Sequence, residues 1–290
     1  MPSKWQQIHI LCSESQADSL NDFLESHNTY AITLKDAADD PIFEPQPGQT
    51  LQWQHMQMTV LFDYEENLEP ITKKLQQLEL PYTLETLADE VWERKWMDDF
   101  QPMQFGDDTW IIPSWHKAAN DDAVNIILDP GLAFGTGTHP TTALCLTWLD
   151  QHDCQNKTVI DYGCGSGILA IAALKHGATH VDAIDHDEQA LQATQDNAER
   201  NAIDLTTLDV YLPKDEPKNT ADLLIANILA QPLIDLCEHF AGLLNPDGQI
   251  ILSGILDTQV DAVVEAYQKH FEIVEIKQQD EWMLVSAIKR

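Results

Sequence analysis

The chain has 290 residues, 43% of them apolar, enough for one large domain or two with a substantial core. Asp and Glu number 48 against 16 Lys and Arg, a formal net charge of −32. Such a surface repels phosphates, which argues against wrapping nucleic acid, and draws basic partners through a field that weakens with salt. Cys12, Cys145, Cys154, Cys164 and Cys237 are odd in number and form no Cys-x-x-Cys pair, so free thiols are expected and no metal site. The opening Met1 to Gln7 does not read as a signal peptide and no apolar run approaches the ~18 residues of a membrane span. A soluble, cytoplasmic protein is expected.

Residues 1–90 read as a small leading domain. Trp5 to Leu11 alternates as a strand does, and Ser15 to Ser26 carries Ala17, Leu20, Phe23 and Leu24 at helical spacing. Tyr30 to Leu34 is a second strand, followed by a proline- and acid-rich loop from Asp39 to Gly48. Leu51 to Phe62 reads as strand, Leu68 to Leu78 as helix and Tyr82 to Leu87 as strand. The order β-α-β-β-α-β predicts a ferredoxin-like α+β fold with no catalytic chemistry of its own, suited to recognition. His9, His27 and His55 are scattered and read as surface or packing residues. Residues 91–107 form a connection, in which Trp92, Trp96 and Phe100 make one stripe of a short helix that ends before Pro102.

Residues 108–290 read as a second, larger domain, which strand-like residues from Phe105 to Trp115 enter. Asp129-Pro130-Gly131-Leu132-Ala133-Phe134-Gly135-Thr136-Gly137-Thr138-His139-Pro140-Thr141-Thr142 then forms a loop dense in backbone and hydroxyl donors, ahead of a helix near Ala143. Phe134 could cover a flat ring. His139 suits a general base and a hydrogen-bonded loop histidine equally well.

The chemistry centres on Val159-Ile160-Asp161-Tyr162-Gly163-Cys164-Gly165-Ser166-Gly167, followed by the helix-forming run Ile168 to Leu174. This is strand, tight turn and helix, with glycine where positive φ or close ligand approach is needed. A second strand, Val181 to Asp185, ends in an acid 22 residues past Gly163 (185 − 163), about the ~20-residue spacing at which a carboxylate meets ribose hydroxyls. The plain structural alternative is that Asp185 caps the next helix. The third glycine comes one residue early for a dinucleotide fingerprint, and the lysine of a phosphate loop is absent. Asp161 would repel a pyrophosphate but accept from an amino group. A zwitterionic sulfonium suits such a turn, and the segment resembles S-adenosylmethionine-dependent methyltransferases.

Beyond it, Glu188 to Asn201 reads as helix and Leu205 to Leu212 as a strand flanking adenine. The strand from Asp222 carries Asn227 at its carboxyl end, where open α/β sheets place ligands. Helix Leu233 to Leu243, turn Asn245 to Gly248, strand Ile250 to Ile255, helix Thr258 to His270 and an antiparallel hairpin over 271–288 follow. The expected architecture is a seven-stranded doubly wound (Rossmann-like) methyltransferase sheet with an inverted last strand.

Together, Trp92-Glu93-Arg94-x-Trp96-Met97, the loop from Asp129 to Thr142, the glycine turn and Asn227-Ile228-Leu229-Ala230 resemble the ribosomal protein L11 methyltransferases (PrmA type) over essentially the whole chain. The resemblance implies methylation of lysine side chains and the α-amino group of a basic large-subunit ribosomal protein. The leading domain would recognise the substrate and the trailing domain would bind S-adenosylmethionine. Cofactor contacts carried over by position are Phe134, Thr142, Gly163, Asp185 and Asn227, with Gly165 in the same turn. Two positions depart from the pattern: Tyr162 stands where phenylalanine is equally expected, and Gln231 where glycine is. Asn227 is expected to position the amine as a neutral group, because a carboxylate there would hold the amine charged.

Two other readings stay open. One is a methyltransferase acting on RNA, an amide or a small molecule, against which stand the charge and the missing Asn/Asp-Pro-Pro-aromatic signature. The other is a non-catalytic cofactor-sensing module, against which stand the intact turn, Asp185 and Asn227. The substrate is expected to be met free, before rRNA covers it.

Overall fold

The computed structural model describes residues 4–36, 55–88, 101–118, 120, 123–129 and 139–290. The loop read from Asp39 to Gly48, the helix carrying Trp92, Trp96 and Phe100, and the glycine-threonine loop over 130–138, Phe134 included, lie outside the described residues. The chain divides into two compact units, Met1–Phe100 and Gln101–Arg290.

The first unit contains strands β1 (Lys4–Ser13), β2 (Ala31–Asp36), β3 (His55–Asp63) and β4 (Tyr82–Ala88) with helices α1 (Glu14–Glu25) and α2 (Glu69–Gln77). The strands form one sheet in the order β2-β3-β1-β4, every neighbouring pair antiparallel. Ile8, Ile10 and Cys12 of β1 and Met56, Met58, Val60 and Phe62 of β3 recur at period two. They bury one face with Ala17, Leu20 and Leu24 of α1 and Ile71 and Leu75 of α2.

The second unit opens with a three-stranded sheet of β5 (Met103–Phe105), β6 (Thr109–Ile112) and β7 (Val124–Ile127), β5 antiparallel and β7 parallel to β6. The run from Phe105 to Trp115 is therefore not one strand. Gly106, at φ +65°, starts a turn whose Asp107 and Asp108 N–H groups donate to the Asp150 carboxylate at 2.6 and 3.1 Å.

The main sheet has seven strands in the order β10-β9-β8-β11-β12-β14-β13. They are β8 (Thr158–Tyr162), β9 (His180–Ile184), β10 (Leu208–Tyr211), β11 (Ala221–Asn227), β12 (Leu244–Leu256), β13 (Phe271–Gln279) and β14 (Trp282–Lys289). β10 to β12 pair in parallel through β9, β8 and β11, while β14 and β13 close the sheet antiparallel. Helices α3 (Pro140–Gln151), α4 (Ile168–Lys175) and α5 (Glu188–Arg200) contribute to the core on the face carrying Val159, Val181, Leu223 and Ile251. The opposite face, with Ile160, Ile184, Leu224 and Ile250, is covered by α6 (Ala230–Asp235), α7 (Cys237–Leu243) and α8 (Val260–Tyr267).

Local expectations shift where side chains compete for backbone groups. The helix expected over 233–243 starts at Ala230 and is two helices broken at Leu236, and near the break the Tyr267 hydroxyl donates to the Leu233 carbonyl at 2.8 Å. Asp204 caps a 3₁₀ turn over Leu205–Thr207, which shortens the strand expected from Leu205 to Leu208–Tyr211. The turn at 245–248 lies inside β12 as an irregularity, the register jumping from Leu244 opposite Ala221 to Gln249 opposite Leu223.

Candidate cofactor and substrate site

Strand register builds the site. Tyr162 of β8 pairs with Ile184 of β9 on one side and with Ala226 of β11 on the other. The residues that follow these partners are Gly163, Asp185 and Asn227, so three positions far apart in sequence leave the sheet together at its carboxyl edge, where open α/β sheets bind ligands.

The glycine turn is tied to the end of β9. Gly163, Gly165 and Gly167 have φ of +83°, +55° and +76°, values that L side chains rarely adopt. The Gly163 and Cys164 N–H groups both donate to Ile184 O, at 2.7 and 3.1 Å, and Gly167 N–H donates to Cys164 O at 2.8 Å. Gly165 N–H donates to Asp185 Oδ2 at 3.0 Å. A phosphate-binding loop aims such donors at its ligand; here three of these four go to Ile184 and Asp185 at the end of β9 and one stays within the turn. A Cβ on Gly163 would stand 2.3 Å from Ile228 Cγ2, so the turn also depends on the missing side chain.

Asp185 is 8% exposed and is not the cap of the helix after it. Its Oδ1 accepts the Asp187 N–H at 3.0 Å, and α5 is capped instead by Asp187, which accepts Gln189 N–H at 2.9 Å. A carboxylate has about four lone-pair sites, and two backbone donors leave room for hydroxyl donors.

Asp161 is 1% exposed. Its Oδ2 accepts the Ala170 N–H of α4 at 3.0 Å, while Oδ1 is buried without a hydrogen-bond partner. Burial, with the nearby Asp185 adding to it and the Ala170 N–H opposing, pushes its pKa up to about 7. An unpaired buried carboxylate oxygen at this edge calls for an N–H donor, best a cationic one.

Thr142 is 1% exposed in the first turn of α3, which begins at Pro140, earlier than the expected Ala143. Its Oγ1 accepts from Asn227 Nδ2 at 3.3 Å, joining α3 to the end of β11. His139 is the N-cap of α3: its Nδ1 lies 2.8 Å from Thr141 Oγ1 and accepts the Thr141 N–H at 3.4 Å. Its ring meets Trp282 edge-on at 4.8 Å, and burial lowers its pKa, with Glu281 opposing. The hydrogen-bonded loop reading of His139 accounts for these contacts.

One group of supporting residues was not foreseen. Thr194, Asn197 and Asn201 follow α5 at i, i+3 and i+7 and form one buried polar stripe. Thr194 Oγ1 donates to Gly165 O at 3.2 Å and Asn197 Nδ2 to Ser166 O at 2.9 Å, holding the turn from below. Asn201 both accepts from Ile127 N and donates to Ile127 O, each at 2.8 Å, tying β7 to the same helix. Three polar residues at helical spacing among alanines were the available signal.

The residues present fit S-adenosylmethionine. An unpartnered carboxylate oxygen and a second acid with spare acceptor capacity suit a ligand rich in N–H and O–H donors.

Comparison with known proteins agrees. Residues 4–290 match the family model described as ribosomal protein L11 methyltransferase (PrmA). The ribosomal protein L11 methyltransferase of Idiomarina loihiensis is 47% identical over 290 residues, covering 98% of this chain and 99% of its own. That of Glaesserella parasuis serovar 5 is 49% identical over 292 residues, covering 99% of each. The crystal structure of a ribosomal protein L11 methylase from Lactobacillus delbrueckii subsp. bulgaricus superposes with a TM-score of 0.60 at 34% identity, covering 66% of this chain and 100% of that one.

Proposed function

Given that this chain belongs to the ribosomal protein L11 methyltransferase (PrmA) family of S-adenosylmethionine-dependent enzymes, we propose that it methylates lysine side chains and the α-amino group of ribosomal protein L11. The full-length match to that family carries the substrate. The convergence of Gly163, Asp185 and Asn227 on one sheet edge carries the site.

In this reading Asp185 accepts from the ribose hydroxyls, Asp161 Oδ1 from the methionine ammonium, and Gly163 and Gly165 allow close approach. Phe134 and Thr142 complete the cofactor contacts. Bound S-adenosylmethionine supplies an electrophilic methyl on a sulfonium. The chain must present a neutral amine to it. A free lysine, pKa ~10.4, is neutral in about one molecule in 10³ at pH 7, a penalty of roughly 4–5 kcal/mol. Enclosure away from water lowers the amine's pKa. Asn227, its Nδ2 turned to Thr142, offers Oδ1 to an amine N–H without adding a charge. Orientation and exclusion of water then provide the rate, with no dedicated strong base.

The finer features belong to the same reading. Residues 1–90 act as a ferredoxin-like recognition domain, supported by the strand order β2-β3-β1-β4. Residues 91–107 lead from it into the methyltransferase domain, residues 108–290, and the end of this stretch already pairs with β6 as β5. The net charge of −32 favours meeting a basic protein in the cytoplasm, free of rRNA and without direct contact with nucleic acid. Among the described residues no helix is long and apolar enough to cross a membrane.

The test is intact-mass analysis of purified L11 and of assembled large subunits, each incubated with the full chain and S-adenosylmethionine. Whole-methyl mass gains, faster on free L11, are expected. Absence of methyl gain on L11 would overturn the substrate, and faster methylation of assembled subunits would overturn the timing.

A further inference from the structure

The chain segments that flank the end of β11 both lack a side chain where Ile228 stands. On one side, a Cβ on Gly163, just past β8, would lie 2.3 Å from Ile228 Cγ2. On the other, a Cβ on Gly254 of β12 would lie 2.2 Å from Ile228 O, 2.8 Å from its C and 3.2 Å from its N. The first glycine makes room for a side-chain methyl, the second for a peptide group. Both have φ of +83°, so an L side chain at either would be strained as well as crowded.

Gly254 sits in a β-bulge. Asn227 pairs with Ser253, the last register between β11 and β12. On the other edge of β12 the pairing with β14 passes from Leu252 opposite Val285 to Ile255 opposite Met283, so Ser253 and Gly254 together face Leu284. An extra residue of this kind bends its strand and re-aims what lies beside it. Ser253 is fully buried, and its Oγ donates to Met283 O at 3.1 Å, a bond that fastens the bulge to β14. The Ser253 side chain also meets the Cys145 thiol of α3, three residues on from Thr142, which accepts the Asn227 amide. β12, α3 and the end of β11 thus close a ring around Asn227.

We propose that Ser253 and Gly254 are positioning residues for methyl transfer: the bulge seats the Ile228 peptide and thereby sets the direction in which Asn227 faces the amine. The inference rests on the reading of Asn227 as the residue that positions the amine. A Cβ at position 254 would press on backbone, which cannot turn aside as a side-chain tip does. The displacement passes straight to Asn227, because Ile228 N closes the Asn227 peptide. Gly163 differs, since its contact is with a methyl that Ile228→Ala removes. Asp161 and Asp185, which hold the cofactor in the same reading, belong to β8 and the end of β9. A change in the bulge therefore bears on turnover more than on cofactor binding.

The experiment compares the full chain with Gly254→Ala, Ser253→Ala and Asn227→Ala, and with each of the first two combined with Asn227→Ala. Initial rates on L11 and calorimetric titration with S-adenosylmethionine are measured for each. Gly254→Ala should lower kcat roughly tenfold or more, since a misplacement of about 1 Å can cost about 10²-fold, with a much smaller change in the S-adenosylmethionine Kd. Ser253→Ala adds no atoms, so it carries the test if Gly254→Ala does not fold, and it should lower kcat in the same sense. In the Asn227→Ala background each change should cost little more, because it acts through Asn227. Unchanged kcat in the folded variants, a Kd that weakens in step with kcat, or full additivity with Asn227→Ala would overturn the inference. NMR of the side-chain amides, with isotope-labelled asparagine, reads the seating without activity. The Asn227 signal, assigned by its loss in Asn227→Ala, should move in both bulge variants, and an unmoved signal would also overturn the inference. No methyl transfer to L11 by the wild-type chain would overturn the substrate instead, with the amide signal still deciding the seating.

Discussion

Asn227 Nδ2 donates to Thr142 Oγ1 across 3.3 Å, linking the last residue of β11 to the first turn of α3 over a separation of 85 residues. The bond fixes the amide's orientation, leaving Oδ1 as the acceptor for an incoming amine. Asn227→Ala should lower kcat/KM on L11 about 10²-fold, the size expected when a positioned reactant is loosened. Thr142→Val should lower it less, and the double variant should be little worse than Asn227→Ala, because the two residues act as a unit. Initial rates with the four proteins decide this, and additive losses would separate the two roles.

Asp185 bridges the glycine turn and the start of α5 through two backbone N–H groups. Asp185→Ala should weaken S-adenosylmethionine binding at least tenfold, about 1.4 kcal/mol, by calorimetry. An unchanged Kd would remove Asp185 from the ribose contact.

Gly163 stands at φ +83° with Ile228 Cγ2 where its Cβ would be. Gly163→Ala should cost about 1–3 kcal/mol of stability from backbone strain, with a steric part added. Adding Ile228→Ala should recover the steric part alone. Full recovery in thermal or urea unfolding would mean that the φ angle carries no strain.

Asp161, its pKa pushed up to about 7 chiefly by burial, gives a pH dependence of definite sign. Its folded pKa lies above the unfolded value of ~3.9, so the folded protein binds the proton more tightly. The contribution is fully present below about pH 4 and is lost as pH rises towards about 7. Asp150 and Asp222, whose pKa values are lowered, act with the opposite sign and below that window. The stability difference between wild type and Asp161→Asn in urea should therefore change by a few kcal/mol between pH 4 and 7, the wild type losing ground as pH rises. A pH-independent difference would mean that Asp161 is ionised throughout.

The placement of Gly163, Asp185 and Asn227 was legible because each ends an apolar strand, and parallel strands entering one sheet bring such ends to one edge. The closing hairpin was legible too: alternating β13 and the continuous apolar run of β14 flank a turn at Asp280, whose φ is +54°. What stayed hidden depends on contacts distant in sequence. β7 is four residues defined by its pairing to β6 and by the Asn201 clamp on Ile127. The break at Leu236 lies beside a bond to Leu233 O from Tyr267, which arrives from another helix. Thr194, Asn197 and Asn201 look like the solvent face of α5 until the turn beneath Gly165 and Ser166 shows what they hold.

The central claim, methyl transfer from S-adenosylmethionine to amines of one basic ribosomal protein, is tested most directly by following labelled methyl into the separated protein and RNA of an extract incubated with the full chain. The account predicts label on L11, in whole methyl units at lysines and the amino terminus, and its loss with Asn227→Ala. Label on RNA, or none on L11 while cofactor is bound, would contradict it.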